Sequence, residues 1–279
     1  MKKSLIACGL VIGIALIAQA TCGASANAFD HEYRAYADVL KRHVRFPHVD
    51  YAALKRDRTL LDRVVGEFDA PAARGESGWT REQRMAFWIN AYNAFTLRAI
   101  IDHYPIRGSW FPLYPRNSIR QIDGVWTELT WQAASRTVTL DDIEHRILRP
   151  TFKDGRIHFA VNCASASCPP LAAEPYRPGT LDAQLDGAAR VFLASPEGVR
   201  VDGETLRVSS LFKWYGDDFT DQYAPIVPGS REARERGILG VIAKYGPPAA
   251  AELARTGRPA IRYLSYDWSL NDIQQRGLP

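Results

Sequence analysis

The sequence predicts an α+β fold: a single mixed domain built around one buried central helix, with a small, mainly antiparallel sheet. Three observations carry that prediction. The stretch Arg81 to His103 is apolar on nearly every side at helical spacing, which is the pattern of a helix enclosed by the rest of the protein. Two Asp-Gly pairs, Asp123-Gly124 and Asp202-Gly203, each sit between short β-prone runs and so mark local hairpins. Helical patterns dominate the first half and strands mix with helices afterwards, which is not the regular alternation of a doubly wound sheet.

The chain begins as an exported protein would. Lys2 and Lys3 precede an apolar run from Ser4 to Ala20, followed by the small-x-small sites Ala24-Ser25-Ala26 and Ala26-Asn27-Ala28. That order of charge, apolar stretch and small residues predicts a removable signal peptide over 1–28, with residues 29–279 as one globular domain in the periplasm or outside the cell. The apolar run is short for a membrane span and has no stop-transfer charges after it. No stable membrane anchor is therefore expected once the signal is cleaved. Loss of the two lysines reduces the net charge from +4 to +2, so nucleic acid is not an expected partner. The 46% hydrophobic and 24% charged composition is that of an ordinary globular protein. No repeat, low-complexity tract or long Pro/Gly linker divides it.

Elements follow in order. His31 to Val44 and Tyr51 to Phe68 read as amphipathic helices. In the central helix, Met85, Trp88, Tyr92, Phe95 and Ala99 form one stripe, while Arg84, Arg98 and Asp102 fall in a narrow wedge. Asn90 and Asn93 therefore lie inside the protein, where their amides need partners; clamping a neighbouring loop and shaping a binding pocket are the two readings. Ile119-Ile122 and Val125-Leu129 predict a hairpin, and Arg136-Leu140 a further strand. Asp141 to Leu148 predicts a short helix stopped by Pro150, carrying Glu144 and His145. Ile157 to Asn162 predicts a strand running into Cys163. Helices over Leu181 to Leu193, Ser210 to Tyr215, Arg231 to Tyr245 and Ala249 to Thr256, a Val199–Val208 hairpin and a closing strand from Ala260 to Ser265 complete the chain.

Chemistry concentrates in His158 to Leu171. Cys8 and Cys22 leave with the signal, so the mature chain keeps only Cys163 and Cys168. Four readings of the pair stand open. They form a structural disulfide, provided the loop turns back. One is the nucleophile of an acyl-transfer enzyme. They are a redox pair, although the four-residue spacer is not C-x-x-C. Or they bind metal with His158 and His145, although the spacing matches no standard ligand pattern. Pro169 suits the first turn of a helix, which would set Cys168 at a helix start and lower its pKa. On an extended strand His158 and Cys163 would lie some 16 Å apart on opposite faces.

Six separated stretches carry a family resemblance. They are Phe87-Trp88-Ile89-Asn90-Ala91-Tyr92-Asn93-Ala94; Asp142-Ile143-Glu144-His145 with Leu148-Arg149; Ile157-His158-Phe159-Ala160; the loop from Cys163 to Leu171; Trp214-Tyr215 with Asp218-Phe219; and Tyr266-Asp267-Trp268-Ser269-Leu270-Asn271. Together, over about residues 51–271, the chain resembles the domain of unknown function 547 family, found in exported bacterial proteins and some plant proteins. The resemblance implies a shared site assembled from these motifs and implies no activity.

The expectation is an exported thiol-dependent hydrolase or acyl transferase using a Cys/His site. Cys163 or Cys168 would be nucleophile, His158 or His145 the base and Glu144 or Asp267 the orienter. Asn90, Asn93 and Tyr92 would shape the binding pocket, with no metal or cofactor. The alternative is a non-catalytic extracytoplasmic ligand-binding or interaction domain braced by a Cys163–Cys168 disulfide. Its ligand, a small molecule or peptide, is unnamed by the sequence. Trp88, Trp110, Trp126, Trp131, Trp214 and Trp268 are candidates for a groove lining and equally for core.

Overall fold

The computed structural model describes residues 28–109 and 113–274. All but the last residue of the expected signal peptide, and Trp110, lie outside the described residues. Four helices open the fold: α1 (Arg34–His43), α2 (Tyr51–Arg56), α3 (Thr59–Glu67) and α4 (Arg81–His103). The single helix expected over Tyr51 to Phe68 is interrupted at Asp57 and Arg58 and so becomes two.

Helix α4 forms where the apolar pattern placed it. Thr80 and Gln83 close a reciprocal capping box at its start, satisfying two N–H groups that the first turn leaves unpaired. Every residue from Met85 to Leu97 is buried, so the helix is the axis of the larger apolar cluster. A second cluster gathers around α6 (Leu181–Ala194), α7 (Leu211–Tyr215), α8 (Thr220–Tyr223) and α9 (Ala233–Tyr245), with α10 (Pro248–Arg255) packed on α9. Arg156 ties the two regions together: its guanidinium reaches Asp154, Asp182 and Asp186, and Tyr245 donates to Asp186. Among the described residues no helix is long and apolar enough to cross a membrane.

The class is α+β, but the strands make three small sheets rather than one. Strands β1 (Val44–Arg45) and β2 (His48–Val49) pair antiparallel, as do β3 (Trp131–Ala133) and β4 (Arg136–Val138). In the third sheet β5 (Val199–Asp202) and β6 (Thr205–Val208) form the expected hairpin, with Gly203 at φ 58° supplying the left-handed turn. Strand β7 (Ala260–Tyr263) closes it in parallel to β6.

Four local expectations are corrected, and each correction shapes the cleft. Ile119 to Leu129 is not a hairpin. A 3₁₀ turn spans Ile119–Gln121, and the Gly124 carbonyl then accepts N–H bonds from Thr127, Glu128 and Leu129. A backbone that meets its hydrogen-bond demand inside the turn has none left for a partner strand. Pro150 does not stop the helix before it. Asp142–Leu148 is π-helical and continues into α5 (Arg149–Phe152), where Pro150 occupies the first turn and its missing N–H costs nothing. Ile157 to Asn162 is not a strand. Gly155–Phe159 is a 3₁₀ turn capped by Asp154, and the Ala160 carbonyl and Asn162 N–H that would seek a neighbouring strand are taken by the side chain of Asn93. The chain after Cys168 is not helical, so no helix N-terminus faces that sulfur. Pro169 and Pro170 lack N–H groups, and the Pro169 carbonyl is held by Asn162.

Candidate functional site

The residues with chemistry converge on one cleft of about 540 Å³. Its floor carries Cys163, Cys168 and His158; one wall carries Glu144, His145 and Tyr215; the rim carries Arg120, Trp126 and Trp268. The π-helical segment explains how adjacent Glu144 and His145 both reach it, because the wider turn separates successive side chains by less than an α-helix does.

The cysteine loop is a tight, over-determined turn. Ala164 is fully buried at φ 60°, a left-handed conformation that costs a non-glycine residue of the order of 1–2 kcal/mol. Surrounding bonds hold it there. Asn162 Oδ1 accepts the Ala164 N–H, Asn271 N–H donates to the Ala164 carbonyl, and Ala166 N–H and Ser167 N–H donate to Ser269 and Asp267 carbonyls. The C-terminal segment is thus the outer support of the loop, which places Tyr266 beside the sulfur.

Cys163 and Cys168 are free thiols, so of the four readings of the pair the disulfide of the alternative, non-catalytic one is corrected. Their Sγ atoms lie 2.8 Å apart, with the Cys163 thiol and the Cys163 N–H both donating to Cys168 Sγ. Cys163 also contacts the hydroxyls of Ser165 at 3.1 Å and Tyr266 at 3.3 Å. Hydrogen bonding of the ionised Cys163 sulfur to Cys168, with the Ser165 and Tyr266 contacts, outweighs burial and lowers the Cys163 pKa to about 7. Burial acts first on Cys168 and, with its bond to Cys163, pushes its pKa well up; burial likewise raises Tyr266, which stays a neutral donor. Cys163 is half-buried and Cys168 buried. Of the two thiols, Cys163 is the one whose ionisation the surroundings favour.

The histidines are held differently from one another. His158, 2% exposed, stacks on Tyr215 with centroids 4.1 Å apart and bonds Asp218 through Nε2 at 2.7 Å. An ionised carboxylate only accepts, so Nε2 carries the proton and Nδ1 is the open nitrogen. Nδ1 faces Glu144 at 3.9 Å. His145 accepts from Arg149 at Nδ1 (2.7 Å), so its proton sits on Nε2, towards Asp141 at 3.4 Å. Arg149 also grips Asp218 bidentately at 2.6 and 3.0 Å. Burial alone would raise the Asp218 pKa, but the bonds from His158 and Arg149 outweigh it and hold the carboxyl well below its ordinary value. Glu144 is buried and accepts from Tyr92 at 3.2 Å. Among the described residues no group of three His, Cys, Asp or Glu side chains is placed to hold a metal ion.

The depressed Asp218 pKa has a consequence for stability. The group binds its proton less readily folded than unfolded, so its contribution is complete above about pH 4 and is lost as pH falls below that. Asp218→Asn is expected to flatten the fall of Tm between about pH 4 and 2, the gap to wild type narrowing as acid is added. Parallel Tm–pH curves for the two proteins would overturn this assignment.

Asn90 and Asn93 lie inside the protein with both ends of each amide occupied by backbone. Asn90 takes the Tyr176 carbonyl and N–H at 2.8 and 2.9 Å; Asn93 takes the Ala160 carbonyl and Asn162 N–H at 2.9 and 2.8 Å. Neither lines the cleft, whereas Tyr92 does. Asp267 accepts from Ser269 and does not line the cleft, and the carboxylate bonded to His158 is Asp218. Of the tryptophans, Trp126, Trp214 and Trp268 line the cleft, Trp88 is fully buried and Trp131 stacks on Phe95. Asp218, Tyr215, Arg149, Tyr266 and Ser165 lie within the motifs that carried the resemblance, but no local pattern assigned them roles; Arg120 lies in a segment read only as a hairpin strand.

Residues 76–193 match the family model described as a protein of unknown function, DUF547. That stretch belongs to the DUF547 family. The matched region holds α4, the π-helical segment, the cysteine loop and nearly all of α6, whereas Asp218 and Tyr266 come from the chain beyond it. No curated protein and no solved structure matches the chain.

Proposed function

We propose that this DUF547 protein is an extracytoplasmic thiol-dependent acyl transferase or hydrolase with Cys163 as its nucleophile. The observation that carries this reading is the convergence of three polar side chains, Cys168, Ser165 and Tyr266, on Cys163 Sγ at the floor of the cleft, each within hydrogen-bond distance of the sulfur. A cleft that only held its ligand would gain nothing from a thiol adjusted towards thiolate at neutral pH. Asp218 and His158 supply the second part: a carboxylate fixing one ring nitrogen so that the other exchanges protons.

The reaction takes two steps. The Cys163 thiol gives its proton to His158 Nδ1 and the thiolate attacks the carbonyl carbon, forming the C–S bond; the oxyanion collapses, the bond to the leaving group breaks, and that group takes the proton now held at His158 Nδ1. Water or an acceptor then loses its proton to Nδ1 and attacks the thioester, the C–S bond breaks, and sulfur departs as thiolate. Tyr266, neutral and 3.3 Å from the sulfur, donates to charge developing there.

Incubation with a panel of acyl thioesters and nitrophenyl esters, acid quench and peptide mass analysis test the reading. An acyl adduct is expected on the Cys163 peptide, absent in Cys163→Ala and accumulating in His158→Gln, which captures the acyl group but releases it slowly. No adduct from any ester, or an adduct that persists in Cys163→Ala, would sink the proposal.

A further inference from the structure

Among the described residues, Arg120 lines the cleft without a carboxylate partner. Its guanidinium lies 4.4 Å from the ring centroid of Tyr114, 4.7 Å from that of Trp268 and 5.4 Å from that of Trp126. These rings brace one another edge to face, Tyr114 on Trp268 at 5.9 Å and Trp126 on Trp268 at 6.3 Å. One Nη2–H bonds Tyr114 Oη at 2.6 Å. Among the described residues Arg120 makes no ion pair, whereas Arg149, the other arginine at the cleft, is saturated by Asp218. A guanidinium has five N–H donors, so most of the Arg120 fork is unspent, and three rings hold it in one place before any ligand arrives.

We infer that Arg120 anchors a carboxylate of the substrate, so that the acyl group brought to Cys163 belongs to a monoanionic, partly aromatic or apolar acid or peptide. The inference rests on the acyl-transfer reading for the role of the bound molecule, but the anchor itself requires only the cleft. A planar carboxylate matches the fork bidentately and balances its single charge. A phosphate dianion would leave one negative charge over beside Asp123 and Asp141, which line the same cleft, so the carboxylate is favoured. The apolar part of the substrate would rest against Trp126 and Trp268, which line the same cleft as Cys163.

Fluorescence titration of the three cleft tryptophans tests the anchor without using the thiol. Phenylacetate is expected to bind wild type about tenfold more tightly than neutral phenylacetamide, the worth of one charge-assisted contact. Arg120→Gln should bind the two alike, and Arg120→Lys should recover part of the preference. Equal affinity of acid and amide in wild type, a preference that survives Arg120→Gln, or no saturation by the acid would each overturn the anchor. Failure to acylate Cys163 while phenylacetate still depends on Arg120 would instead remove the enzymatic reading and leave an anion-binding cleft.

Discussion

Alkylation of the folded protein by iodoacetamide is expected to fall on Cys163 and to follow an ionisation centred near pH 7. A thiol with the ordinary value of 9.0 is about 1% thiolate at pH 7, whereas one at about 7 is half ionised, an advantage of about fiftyfold in reactive species. The hydrogen bond with Cys168 is the largest contribution to that shift, so Cys168→Ala should move the midpoint upward. Intrinsic nucleophilicity rises as the pKa rises, offsetting up to about tenfold of the lost thiolate. The expected net result is therefore a several-fold slower reaction at pH 7 and a faster one well above pH 9. An unchanged midpoint in Cys168→Ala would show that Ser165 and Tyr266 alone hold the thiolate. A Cys163 that stays unlabelled at every pH would remove it as nucleophile.

Asn93→Ala and Asn90→Ala are expected to cost similar stability yet differ in what they do to the site. Each truncation leaves one buried carbonyl and one buried N–H without a partner, a loss of about 2–5 kcal/mol. For a domain of this size that is a Tm lower by roughly 5–15 °C. Asn93 holds the backbone at Ala160 and Asn162, immediately before Cys163, whereas Asn90 holds Tyr176 well beyond the loop. Asn93→Ala should therefore also slow Cys163 alkylation and blur its pH profile, while Asn90→Ala keeps the wild-type profile at temperatures where it is folded. Calorimetry paired with the alkylation assay checks both halves. Unaltered thiol reactivity in Asn93→Ala would show that the loop is positioned by the Tyr266–Asn271 segment without help from α4.

What the amino-acid order determined by itself is what short-range physics can decide. The all-round apolar pattern of Arg81 to His103 requires a buried helix, and burial in turn requires that Asn90 and Asn93 find partners inside it. The Asp202-Gly203 pair specifies its hairpin because glycine accepts the left-handed turn at little cost. The motifs that carried the resemblance also brought Cys163, His158, Glu144 and His145 into one neighbourhood.

Only the tertiary structure decided how those residues face one another. Ile157 to Asn162 has the composition of a strand, but the side chain of Asn93, 67 and 69 residues away, takes the bonds a neighbouring strand would have made. The segment therefore curls and brings His158 to the same cleft as Cys163 rather than to the opposite face. Asp218, not the nearer Glu144 or the later Asp267, orients His158, because α7 and the turn after it pack on the second apolar cluster and deliver the carboxylate across 60 residues. Tyr266 reaches the sulfur from 103 residues away. Each of these is a long-range hydrogen bond made by a single side chain. Such a bond leaves no periodicity in the chain to read, and it forms only after packing has removed the water that would otherwise satisfy the same atoms.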